Sequence, residues 1–102
     1  MTLIAYRVVK ASRKEDAFSG EGARRAGGRW SSKGMQAVYC ASTLSLAVLE
    51  ILMHIEDTAL LGSYGFFPMT MPKSLLETIP VASLPANWAD FPAPIETQAL
   101  GD

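Results

Sequence analysis

The chain has 102 residues, 49% of them hydrophobic, with nine lysines and arginines against ten acids and a formal charge of −1. That length and apolar content supply one soluble globular core. The single cysteine excludes an internal disulfide, the single histidine leaves no Cys/His cluster for a metal, and the longest apolar run, residues 44–55, is too short to span a bilayer. Residues 1–9 lack the basic stretch and apolar core of a secretory signal, so a cytoplasmic protein is expected.

In chain order, Leu3 to Val9 reads as a first strand and Ala11 to Ala26 as a polar loop or short helix. Gly27 and Gly28 predict a turn where the backbone can take positive φ and a ligand or another segment can come close. Gln36 to Ala41 is short, apolar and bounded by turn residues, which predicts a largely buried strand with Ala37, Tyr39 and Ala41 on one face. Val38 and Cys40 then share the other face, predicting a buried structural thiol. Ser42 to His54 opens on cap-type residues, Ser42 or Thr43, and carries apolar side chains nearly all round. A helix buried on most of its circumference is expected. Leu60 to Met71 predicts a further strand, with Gly62 and Gly65 permitting bends. All six prolines lie between Pro68 and Pro94, which leaves no room there for a long helix. Leu84 to Trp88 reads as one helical turn anchored by Trp88. The fold class expected is α+β, a mixed sheet with packed helices in one domain over residues 1–102.

Charge is distributed unevenly. Residues 1–34 hold eight basic side chains against three acids, and the remainder sums to −6. A basic third around the glycine turn attracts an anionic small molecule or is an ordinary solvated face, while the acidic remainder argues against a broad nucleic-acid surface.

Three side chains stand out as chemistry. Arg29 leaves the glycine turn with a planar five-donor fork suited to phosphate or carboxylate, and Trp30 beside it is a large flat anchor. Tyr39, flanked on its own face by alanines, has open space around its ring or fills the core. Glu50 is an acid within an apolar helix, a placement that costs several kcal/mol, in order of magnitude, unless the carboxylate is paired or hydrogen-bonded. Such a group serves an ion pair, with Arg29, Arg24 or Arg25 as the partner, or it serves chemistry. His54, four residues on, is within reach of Glu50 on a helix face, although a satisfied helix-end histidine accounts for it equally well.

Tyr6-Arg7, the block Ala17-Phe18-Ser19-Gly20-Glu21-Gly22-Ala23, then Gly27-Gly28-Arg29-Trp30, Lys33-Gly34, Val38-Tyr39-Cys40-Ala41-Ser42 and Leu49-Glu50 together resemble the RES domain, the toxin half of a bacterial toxin–antitoxin system. The resemblance covers nearly the whole chain. It implies a fold like that of ADP-ribosyltransferases and consumption of NAD by phosphorolysis or hydrolysis, with ADP-ribosyl transfer to a protein in some members. Arg29 and Glu50 match the arginine and glutamate of the family name, and Tyr39 matches an active-site tyrosine. By the same resemblance Arg7, Gly28, Arg29 and Tyr39 contact NAD as substrate, with no metal. It also implies a helix-turn-helix antitoxin whose tail covers the NAD pocket and which makes any DNA contact, with a homodimer inside the complex as an option. Ser31 stands where the family has asparagine. The chain is expected to stop short of the segment carrying the family serine, so no residue here takes that role. A non-catalytic module that only docks the antitoxin is the rival expectation.

Overall fold

The computed structural model describes residues 1–102, which fall into two compact units. The first comprises Met1–Ala17 and Tyr39–Leu76, the second Phe18–Val38 and Glu77–Asp102.

The first unit is built on a hairpin-like pair of strands. Strand β1, Thr2–Lys10, runs antiparallel to β2, Tyr64–Pro72, in a register that sets Tyr6 opposite Pro68 and Lys10 opposite Tyr64. β1 falls where its apolar, β-branched run places it, whereas the second strand begins at Tyr64 and not at Leu60, because Thr58–Ser63 form a 3-10 helix. The sheet is two-stranded and wholly antiparallel, so the expectation of a mixed sheet is corrected; the α+β class stands.

Residues 36–41 form no regular strand. One bridge joins Tyr6 to Ala41, with Tyr6 N–H donating to Ala41 O and Ala41 N–H donating to Tyr6 O, each at 2.8 Å. Short apolar content is shared by buried strands and by extended segments that pair at a single point, and here the second holds. The buried thiol is corrected with it: Cys40 is an exposed residue.

In the same unit, the helix that packs against β1 spans Leu44–Leu52. Thr43 caps it, its side chain accepting from Leu46 N–H at 3.1 Å, which satisfies one of the amides a helix start leaves open. Ala47 is its one buried residue, at 7% exposure; Leu49 is 57% and Met53 77% exposed. The helix is therefore buried along a narrow stripe rather than on most faces, and a small residue at the contact lets it approach the strand closely.

In the second unit, a short helix at Glu21–Ala26 follows Gly20, whose φ is +77°. Arg24 grips Glu21 with two hydrogen bonds of 2.9 and 3.0 Å, and Arg25 stands 3.8 Å from the same carboxylate. A tight turn follows, closed by Gly28 N–H donating to Ser31 O at 2.8 Å. Gly27 takes the positive φ, +70°, and Gly28 does not. A second helix of this unit, Ile95–Gly101, begins after Pro94. Gln98 Nε2 donates to Gly28 O at 3.0 Å, and Ser32 donates to Asp102 through both its N–H, at 2.9 Å, and its hydroxyl, at 2.6 Å. Leu84–Trp88 holds a turn instead of a helix, with Trp88 N–H on Pro85 O.

These contacts make a pH prediction. The Arg24 hydrogen bond holds the Glu21 carboxyl below its usual range, and the Ser32 hydroxyl, then its amide, does the same for Asp102. A carboxyl with a lower pKa folded than unfolded contributes stability above its unfolded pKa, and loses it as pH falls through the folded one. Asp102→Asn is expected to flatten the decline of melting temperature below about pH 4, measured by thermal melts across an acid series. An acid limb identical to wild type would show that Asp102 does not exchange protons with folding.

Candidate active site

Within the first unit a cavity of about 260 Å³ is lined by Tyr6, Arg7, Val8, Tyr39, Cys40, Ala41, Ala47, Glu50 and Ile51. Three chain segments build it. β1 brings Tyr6 and Arg7, the extended segment pinned to Tyr6 brings Tyr39, and the helix Leu44–Leu52 brings Glu50.

Arg7 is the electrostatic centre of this cavity. Its Nη1 donates to the Tyr39 carbonyl at 2.9 Å, tying the strand to the segment that carries Tyr39. Its Nε is buried and has no hydrogen-bond partner. An unpaired buried donor on a cation costs roughly 1–3 kcal/mol or more. Burial pushes the Cys40 thiol up from its ordinary pKa, with Arg7 opposing. A raised pKa disfavours the thiolate and makes Cys40 a weaker nucleophile.

Glu50 differs from its expectation. It is exposed rather than buried in apolar surroundings, and neither Arg24, Arg25 nor Arg29 pairs with it. The desolvation cost anticipated for it is absent. Its carboxylate is open to whatever enters the cavity. Tyr39 is 42% exposed, so its ring is a surface of the site and not core packing. His54 lies beyond the end of the helix and lines a different cavity, with Lys10, Glu56 and Tyr64.

Arg29 belongs to the second unit. Its Nη1 donates to the carbonyls of Trp88 at 2.8 Å and Asp90 at 2.7 Å, which clamps that turn. Gly28 is also in this unit, its carbonyl taken by Gln98. Trp30 is half-buried and lines an apolar hollow with Ile79, Leu84, Leu100 and Gly101. Thus the first unit brings together Arg7, Tyr39 and Glu50, while Arg29 and Gly28 sit among the hydrogen bonds of the second. Sequence reasoning passed over Tyr6 and Cys40 as site-lining residues; their positions beside Arg7 and Tyr39 were the only signal.

No group of three or more His, Cys, Asp or Glu side chains gathers where it could hold a metal ion. No helix is long and apolar enough to cross a membrane.

The family model described as "RES domain" matches residues 4–102. A protein named "Toxin Res" from Photorhabdus laumondii is 38% identical over 86 residues, covering 84% of this chain and 55% of that protein. Another "Toxin Res", from Yersinia enterocolitica, is 36% identical over 99 residues, covering 97% and 65%. A "Prs ADP-ribosylating toxin" from a Sphingobium species is 34% identical over 98 residues, covering 91% and 61%. The chain therefore spans less than two thirds of the length of each of these relatives.

Proposed function

The chain belongs to the RES domain family, and from that premise we propose that it is the toxin of a toxin–antitoxin pair that breaks the bond between nicotinamide and ribose in NAD. The observation that carries this reading is one cavity lined together by Arg7, Tyr39 and Glu50. NAD has an anionic pyrophosphate and a flat cationic ring, and the site offers a cation for the first and a phenol ring with a carboxylate for the second. A cavity of about 260 Å³ is below the roughly 300–1,000 Å³ usual for small-molecule pockets. It takes the nicotinamide–ribose end, with the adenosine half outside.

The chemistry follows from charge. As the C–N bond lengthens, nicotinamide departs as a neutral ring with the bonding electron pair, and positive charge grows on the ribose, as in other glycosidic cleavages. Glu50 stabilises that charge, Arg7 holds the anionic portion, and Tyr39 stacks on the departing ring. The ribose carbon then bonds to phosphate, water or a protein side chain. Transfer to a protein is favoured as the second reading by the name of the Sphingobium relative. The sheet-and-helix frame is read as the core of an ADP-ribosyltransferase-like fold, and the partner as a helix-turn-helix antitoxin covering the cavity.

The reading divides the two arginines. Arg7 is the substrate anchor, so Arg7→Ala is expected to raise the KM for NAD about 10- to 100-fold, the loss of one charge-assisted hydrogen bond. Arg29 bonds two carbonyls of its own unit, so Arg29→Ala is expected to lower stability by about 1–3 kcal/mol. Kinetics and denaturant melts on both variants separate the roles: a loss confined to stability makes Arg29 a clamp, and a raised KM makes it a substrate contact as well. The overall function is tested by measuring cellular NAD after induced expression in bacteria. Depletion with growth arrest is expected; soluble, folded protein with NAD unchanged would sink the enzymatic reading.

A further inference from the structure

Tyr6 lines the same cavity as Arg7, Tyr39 and Glu50, and the roles above do not use it. Its backbone is fully committed, the N–H and C=O both bonded to Ala41 at 2.8 Å. Its side chain is not: the residue is half-buried, and no hydrogen bond within the chain holds the phenol hydroxyl.

Position gives the ring its significance. Tyr6, Arg7 and Val8 are consecutive in a strand, so their side chains alternate between faces. All three nonetheless line one cavity, which places it at the lateral edge of β1 where Ala41 docks. A group entering there meets the strand edge-on, between one residue directed to each face. The residues that border the cavity carry between them two phenol rings, one carboxylate and one guanidinium. Phenol faces attract cations, and Glu50 adds a full negative charge. Arg7 repels a lone cation, so the ligand class that satisfies all four groups is a planar cationic heteroaromatic ring joined to an anionic, phosphate-type portion.

We infer that Tyr6 is a second aromatic contact for the ring end of the substrate and sets the preference for a cationic ring. The inference rests on the NAD reading. Binding is measured by calorimetry for wild type, Tyr6→Phe and Tyr6→Leu, using a non-cleavable carba-analogue of NAD and, separately, ADP-ribose, which lacks the ring. Tyr6→Leu is expected to weaken the NAD analogue about 2- to 30-fold, Tyr6→Phe to stay within about twofold because it keeps the π face, and ADP-ribose to bind all three alike. Wild-type affinity in Tyr6→Leu overturns the inference, as does equal loss of both ligands, which marks Tyr6 as a scaffold residue. Wild type binding neither ligand overturns the NAD reading itself, and the inference with it.

Discussion

Glu50→Gln is expected to reduce NAD turnover about 10²- to 10³-fold, the usual cost of removing one group aimed at developing charge, while changing stability by no more than about 0.5 kcal/mol. The amide keeps the shape of the carboxylate and loses its charge, so the positive ribose goes unstabilised. Stability is indifferent because Glu50 is exposed and has no ion-pair partner to abandon. Had the carboxylate been buried beside an arginine, neutralising it would have removed an ion pair and the protein would melt lower. Turnover assays and thermal melts on the one variant discriminate the cases. Retained turnover would remove Glu50 from the chemistry.

A large loss of stability is expected at Gly20. Its φ of +77° is strained for any residue with a Cβ, and a Cβ built there would stand 2.9 Å from the Gln36 Cβ and 3.0 Å from the Ala37 amide nitrogen. Left-handed strain of about 1–2 kcal/mol adds to overpacking of about 1–3 kcal/mol. Gly20→Ala is therefore expected to cost roughly 2–5 kcal/mol, a large part of the total stability of a small domain. Two internal controls separate the terms. Gly34 has φ +94° and open space, so Gly34→Ala carries the strain alone; Gly22, inside the first helix of its unit with open space and no positive φ, gains helix propensity on change to alanine, about 0.5–1 kcal/mol. Denaturant melts that rank the three differently would contradict the conformation at Gly20.

Local signals in the sequence were sufficient for β1, β2 and the Thr43-capped helix, because alternation, β-branching and capping act within a few residues of one another. They were also sufficient for the family, through blocks whose order and spacing persist along the chain. What they did not give was coverage. An apolar helix reads as buried whether or not anything lies on it, so Leu49 and Glu50 were placed inside when they face out. Partnering at long range was equally hidden: the carbonyls that occupy Arg29 lie 59 and 61 residues further on, and no local pattern announces them. Arg7 stood out only through the family resemblance, because the residues that complete its cavity, from Tyr39 to Ile51, lie far along the chain.

The register of the sheet also bears on how the protein avoids its own copies. In an antiparallel pair, a residue whose N–H and C=O point away from its partner faces a neighbour that does the same on the other side. Tyr6 directs both groups to Ala41, so Pro68 opposite it points outward from β2, and Pro72, opposite Thr2 four residues along, is oriented alike. Proline has no N–H to give. The outer edge of β2 therefore lacks a donor at Pro68 and Pro72, and the Tyr64 N–H is already spent on Leu61 O. Only Phe66 and Thr70 remain on that side, separated by Pro68. An exposed edge invites strand-to-strand aggregation when its donors form an unbroken row; here the row is broken between its two surviving members, and a two-stranded sheet can stay uncovered on that side without seeding fibres.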